Sequence, residues 1–181
     1  MTVDELLWLT SRAAALTAFF VLAASMITGQ ALRTAIFAGR LRNRDLARLH
    51  EFLTVCWLPF IGLHVIALTL DGVARIAPLD LIVPFRVSYA PLPIGLGTIG
   101  LDLLLVVVVS GYLRSRLGPL TWRWLHRAAY AMFAVFVLHA LLAGSDVMRA
   151  IVLAPLAAVV SFMLITTLAR ILFGRTTGAE A

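Results

Sequence analysis

Lysine is absent from this chain: all fifteen basic residues are arginine, set against nine acidic ones. There is one cysteine, Cys56, and it lies inside an apolar run. A lone thiol can build neither a disulfide framework nor a thiolate metal site. No basic stretch precedes the first apolar run, whose only early charges are Asp4 and Glu5. That run is therefore expected to stay as a span and not to be removed as a signal peptide. There is no internal repeat and no low-complexity segment. Charge as a whole is thin, at 13% of residues, while 62% of the 181 residues are hydrophobic and the mean hydropathy is +1.00. Soluble domains are apolar over nearer half their residues, so the composition points to a polytopic membrane protein. A net charge of +6 would suggest nucleic acid as a partner in a soluble chain. Here the placement of the arginines explains it better, as a topology signal in contact with membrane lipid, and no nucleic-acid partner is expected.

Five stretches are long enough to cross a hydrocarbon core of about 30 Å, which takes roughly 20 apolar residues as helix. They cover approximately 6–28, 47–70, 94–113, 121–143 and 150–173. Each backbone group in lipid must be satisfied within its own segment, so the expected fold is an all-α bundle of five transmembrane helices. The link between the first two spans carries Arg33, Arg40, Arg42, Arg44 and Arg48, and the link between the third and fourth carries Arg114, Arg116, Arg123 and Arg127. Both links are expected to be cytoplasmic. The remaining links balance their charges, which places the N-terminus outside and the C-terminus, after Arg170 and Arg175, in the cytoplasm. The outer link "APLDLIVPFRVSYAPLPIG" contains Pro78, Pro84, Pro91 and Pro93. These deny it a long helix, and it reads as an irregular lid at the outer interface.

The chain has four histidines, His50, His64, His126 and His139, all in the second and fourth spans. Ionisable groups inside a membrane are costly and usually mark a functional site. With one span between them, these two spans run in the same direction. His50 then matches His126 near the cytoplasmic face, and His64 matches His139 near the outer face, the two levels about 20 Å apart at 1.5 Å per residue. Zinc would want four ligands, or three plus water, and a di-iron site needs carboxylates that are missing. Haem iron needs only two axial ligands from protein, so two bis-histidine b-type haems use all four rings. Fourteen residues from His50 to His64 return to within about 40° of one face, whereas thirteen from His126 to His139 leave an offset of about 140°. Helix tilt, bending or differently rotated haem planes can absorb that difference.

These paired spacings resemble the ferric reductase-like transmembrane domain, the family of ferric reductases, NADPH oxidases and the bacterial haem-binding subunit of the methionine sulfoxide reductase system. The same uneven spacing occurs there. Further likeness lies in "WLTSRAAAL", "RLHEFL", "LRSRLGPLTWRWLHRAAYAMF" and "HALLAGSD", so the resemblance covers roughly residues 6 to 173 of a single domain, 1–181. Larger family members have six spans, and many continue into a cytoplasmic FAD and NADPH domain; here only "GRTTGAEA" follows Phe173. The resemblance implies a multi-pass oxidoreductase haem subunit of the bacterial inner membrane. Its electrons are expected from a separate cytoplasmic flavoprotein, with FMN or FAD in that partner, or from quinol. The outer acceptor is ferric iron, oxygen, quinone or a periplasmic protein.

Other residues are nominated around the histidines. Trp57 and Phe133 each stand seven residues past a histidine, within about 20° of its face. They either pack or fill the gap between macrocycles. Haem propionates need cations: Arg48, Arg123 and Arg127 are the inner candidates, Arg12 and Arg86 the outer ones. Asp102 would pair with Arg12 or Arg86, pass protons, or simply end its helix in water. Tyr130 reads as packing and Pro59 as a kink. "GLGTIG" at 95–100 fits G-x-G-x-x-G as letters but opens a membrane helix after a Pro-rich loop, so it is not expected to bind a nucleotide. Two other functions fit the same residues: a quinone-linked haem anchor of a dehydrogenase, and a proton-coupled or metal transporter whose histidines bind protons or ions directly.

Overall fold

The computed structural model describes residues 1–32 and 41–173; Arg33, Arg40 and Arg175 lie outside the described residues, as does the side chain of Arg170. Five α-helices account for most of it: α1 (Val3–Ala31), α2 (Asn43–Leu70), α3 (Pro91–Tyr112), α4 (Pro119–Ala143) and α5 (Ala150–Phe173). All five are long and apolar enough to cross a membrane. No strand occurs among the described residues.

Each helix begins or ends where local chemistry dictates, and four of the five outrun their apolar stretch. α2 starts at Asn43, four residues before the apolar run, because Asp45 completes its first turn. The Asp45 carboxylate pairs with Arg42 at 2.6 Å and complements the positive end of the helix dipole. α3 starts at Pro91, so Pro91 and Pro93 belong to the helix and not to the lid. A proline in the first turn lacks only an N–H that has no intrahelical acceptor there, and its φ already suits the helix. The preceding Ala90 turns the chain with a φ of 45°. α2 continues through Pro59, which cannot donate to the Val55 carbonyl.

The chain divides into two compact units. The first comprises Met1–Leu9 and Ile66–Met148. In it α3 and α4 run antiparallel, in a register set by small residues: Gly100 faces the Phe136 ring, and three residues earlier Gly97 faces the ring of His139. Met132, Phe133 and Phe136 are buried along α4. The link 71–90 has one short 3₁₀ turn, Pro78–Leu81, and is otherwise irregular. Asp80 anchors it. Its carboxylate accepts from the Ala77 N–H at 2.9 Å and from Arg86 Nε at 3.0 Å, while its carbonyl accepts from the buried Thr98 hydroxyl of α3 at 2.8 Å. Both the Ala77 bond and the Arg86 cation favour the ionised form, which holds the Asp80 carboxyl below the usual carboxylate range.

The second unit comprises Thr10–Val65 and the chain from Arg149 onward. On α1 the residues Ser11, Ala14, Ala18, Leu22 and Ser25 form a buried stripe at helical spacing. Small residues in such a stripe let two membrane helices approach closely. The buried Gln30 ties α1 to α5: it donates to Thr167 Oγ1 at 2.6 Å and accepts from Thr166 Oγ1 at 2.6 Å.

Candidate functional site: four helix-borne histidines

In the second unit, α1 and α2 run antiparallel and meet at two Ser–His pairs. The Nδ1 of His50 lies 2.8 Å from the Ser25 carbonyl oxygen and 3.2 Å from the Ser25 hydroxyl. The Nδ1 of His64 lies 3.0 Å from the Ser11 carbonyl oxygen and 2.8 Å from the Ser11 hydroxyl. Fourteen residues separate the two serines and fourteen separate the two histidines, so one register satisfies both pairs. The levels are about 21 Å apart along the helices.

A carbonyl oxygen can only accept, so an Nδ1 at this distance must carry the hydrogen. For the neutral ring that assigns the tautomer: Nδ1–H donates to the neighbouring helix, and Nε2 holds the lone pair. In the first unit His139 is held the same way, its Nδ1 2.7 Å from the carbonyl oxygen of Pro93.

The glycines explain how an imidazole reaches a carbonyl that already belongs to a helix. In an α-helix the carbonyl of residue i is overhung by the side chain of residue i+4. Gly29 stands four residues after Ser25, and Gly97 four after Pro93. A Cβ at Gly29 would stand 3.0 Å from His50 Cε1, and one at Gly97 would stand 2.9 Å from His139 Cε1. The residue four after Ser11 is Ala15, also small. The letters of "GLGTIG" thus serve packing: Gly95 admits the Phe85 ring, Gly97 the His139 ring and Gly100 the Phe136 ring.

Around His50 the hydroxyl hydrogens have a definite order. Thr54 donates to the His50 carbonyl at 2.7 Å, so at 2.9 Å it accepts from Ser25. The Ser25 oxygen is then left as an acceptor toward His50 Nδ1–H. Thr28 Oγ1 lies 3.5 Å from the same Nδ1 and donates to the Ser25 carbonyl at 2.8 Å.

His126 is held differently. Its ring stacks on Trp122, with centroids 5.2 Å apart and planes at 17°. The Arg114 guanidinium lies 4.5 Å from the centroid of the same indole.

The proposed cations occupy varied settings. Arg127 lies over the Trp124 ring at 4.6 Å, and Arg123 donates to the Pro119 carbonyl of its own helix at 3.1 Å. Arg48 is exposed, two residues before His50, while Arg12 is half-buried beside Ser11. Arg86 has Asp80 as an ion-pair partner at 3.0 Å. Trp57 and Phe133 are buried in their respective units. Ser11, Ser25, Thr54, Gly29 and Trp122 escaped the sequence reading, and Pro93 and Gly97 were read there without a role beside His139; the signal that could have found the serines is their fourteen-residue spacing, which repeats that of His50 and His64.

Comparison with protein-family models, with curated proteins and with solved structures gives no match.

Proposed function

We propose that this chain is a membrane cytochrome b of the ferric reductase-like type, placed in the bacterial inner membrane with its N-terminus outside and its C-terminus in the cytoplasm. It takes electrons from a cytoplasmic flavoprotein reductase, which carries the FMN or FAD, and delivers them to an acceptor on the outer side. In this reading His50 and His126 hold one haem b near the cytoplasmic face, and His64 and His139 hold a second near the outer face. The pairing rests on the depths assigned from the sequence.

One observation carries the reading: His50, His64 and His139 each donate Nδ1–H to a backbone carbonyl of another helix, at 2.8, 3.0 and 2.7 Å. Metal-ligating histidines are held in this way, with the second ring nitrogen bonded to a carbonyl or carboxylate that sets tautomer and orientation. A neutral imidazole with its lone pair on Nε2 is the form that haem iron takes as an axial ligand. For two of the three, a glycine one turn later in the neighbouring helix gives the ring room to reach the carbonyl that fixes its orientation. The donor set and these glycine cradles fit the group.

Haem b held by these imidazoles would supply a one-electron carrier. The chain supplies the rest. The carbonyls of Ser25, Ser11 and Pro93 keep the protons of their rings on Nδ1 and fix the ring planes. Trp122 braces His126 by stacking. Trp57 and Phe133 are buried seven residues beyond His50 and His126 and would lie between the two haem levels. Arg48, Arg123 and Arg127 at one end, and Arg12 and Arg86 at the other, offer guanidinium donors to anionic propionates.

The test is haem quantified per polypeptide in purified protein, wild type against His50→Ala and His64→Ala. The expected result is about two haems b for the wild type and about one for each variant, since each bis-histidine site needs both of its ligands. A colourless wild type after expression with ample porphyrin precursor, or unchanged haem in both variants, overturns the reading.

A further inference from the structure

We infer that Ser11 and Ser25 are a matched pair of positioning residues, each presenting its carbonyl and its hydroxyl together to one histidine Nδ1–H and thereby setting the electron density at that ring's Nε2. This deepens the haem reading and rests on it.

Three observations carry the inference. The first is repetition: the same residue type makes the same double contact at two levels, with the fourteen-residue spacing of the serines copying that of the histidines. Small residues are common in such a stripe, and serine is one that adds a hydroxyl to it. Ser11 and Ser25 are both 3% exposed, and the stripe between them is otherwise Ala14, Ala18 and Leu22. The second is contrast. The carbonyl that receives His139 belongs to Pro93, a residue with no hydroxyl of its own to add. The hydroxyls at His50 and His64 therefore do something that the fold does not require in order to dock a histidine.

The third is the direction of the hydrogens at Ser25. Thr54 has its hydrogen on the His50 carbonyl, so the Ser25 hydroxyl donates to Thr54 and turns its lone pairs toward Nδ1. Such a chain polarises in one sense, each bond strengthening the next. Two acceptors pulling on one N–H give the ring more imidazolate character, which makes Nε2 a stronger donor and favours ferric over ferrous iron. Removing the hydroxyl leaves the carbonyl in place and weakens this pull without abolishing the tautomer.

The experiment is a redox titration of the haem absorbance in purified protein for Ser11→Ala, Ser25→Ala and the pair, with Ser→Thr at each position as the hydroxyl-retaining variant. Haem content is measured alongside. The expected outcome is that each alanine variant keeps its haem and shifts one of the two transitions toward easier reduction, by about tenfold in the equilibrium, or about 59 mV for one electron. The double variant shifts both, and threonine restores each. If an alanine variant instead loses one haem and threonine restores it, the positioning role stands. Full haem with unmoved potentials in both alanine variants overturns the inference while leaving the haem reading intact. Loss of haem that threonine does not repair overturns it as well. A wild type without haem ends both.

Discussion

The imidazole of His139 rests on Gly97, so closely that a Cβ on that glycine would stand 2.9 Å from Cε1. The same ring donates from Nδ1 to the carbonyl of Pro93, one helical turn earlier, at 2.7 Å. Contact and hydrogen bond are one device, because the missing side chain at the later position uncovers the carbonyl at the earlier one. Gly29 and Ser25 repeat it for His50.

It follows that Gly97→Ala disturbs more than its single methyl suggests. Ring and methyl cannot share the space, so His139 must leave the Pro93 carbonyl or α3 must move off α4. Overpacking of this kind costs about 1–3 kcal/mol, and replacing a helical glycine by alanine returns less than about 1. A net loss of about 1–2 kcal/mol is expected, read as a lower melting temperature of the detergent-solubilised protein, together with loss of the haem assigned to His139. Gly29→Ala, at 3.0 Å from His50 Cε1, should do the same more mildly. Unchanged melting and haem content in Gly97→Ala would remove the cradle from the account.

Trp122 offers an independent check on the ring with the other kind of support. Its indole carries both the His126 stack and the Arg114 cation. An aromatic pair contributes about 0.5–1.5 kcal/mol beyond area burial, and an exposed cation over a ring about 0.5–1. Trp122→Ala should therefore lower retention of the haem assigned to His126 during purification. Arg114→Ala should have a smaller effect, and Trp122→Phe should keep most of the wild-type behaviour. Equal haem retention in Trp122→Ala and the wild type would mean that the stack plays no part in holding the ring.

What was legible in the sequence follows the physics of lipid. Five apolar stretches became five helices because a backbone in hydrocarbon has no other open-ended solution, and the sequence boundaries of the fifth, 150–173, match α5. The starts of the first four spans and the end of the first were placed short, since hydropathy registers what lipid touches while a helix continues as long as its caps and first-turn residues permit. Pro91 and Pro93 were misplaced for that reason: proline reads as a breaker unless its position relative to the helix start is known. The histidines stood out because charge-capable groups are rare in such a chain. The serines and glycines that hold them did not, because small residues are common in every membrane helix and only the pairing of α1 with α2 and of α3 with α4 gives those positions meaning. The Arg86–Asp80 pair, six residues apart in an irregular link, has no periodicity that would announce it.

Asp80 predicts a pH dependence in the link between α2 and α3. Its carboxyl is held below the usual range by the Ala77 N–H and Arg86, so the ionised form contributes stability that is fully present above the unfolded value near 3.8. That contribution fades as pH falls through the lower folded value. In the detergent-solubilised wild type, protease resistance of the 71–90 link should therefore stay level from neutral pH to about pH 5 and fall only below the ordinary carboxylate range. Asp80→Asn should be cut faster after Arg75 or Arg86 by trypsin at neutral pH. With the protonation step gone, an acid-stable protease should find no further loosening in that variant on acidification. A wild type that loosens between pH 7 and 5 would show that another group controls the link.

Orientation decides which pair of histidines would face the proposed donor, so it is the prediction with the widest consequence. The arginine count places the 71–90 link outside and the turn between α3 and α4 in the cytoplasm. Ser88 and Ser115 are exposed in these two segments, and Cys56 is the single native thiol. In a Cys56→Ala background, Ser88→Cys should react with a membrane-impermeant maleimide added to spheroplasts, and Ser115→Cys should react only after the membrane is opened. The reverse pattern would put His64 and His139 on the cytoplasmic side and exchange the entry and exit sites. Labelling at both positions in sealed spheroplasts would mean that the two segments share a face, which an odd number of crossings does not allow for the single helix, α3, that separates them. In that event α3 would not span the bilayer, and the parallel alignment of α2 and α4 on which both proposed haem sites depend would be lost.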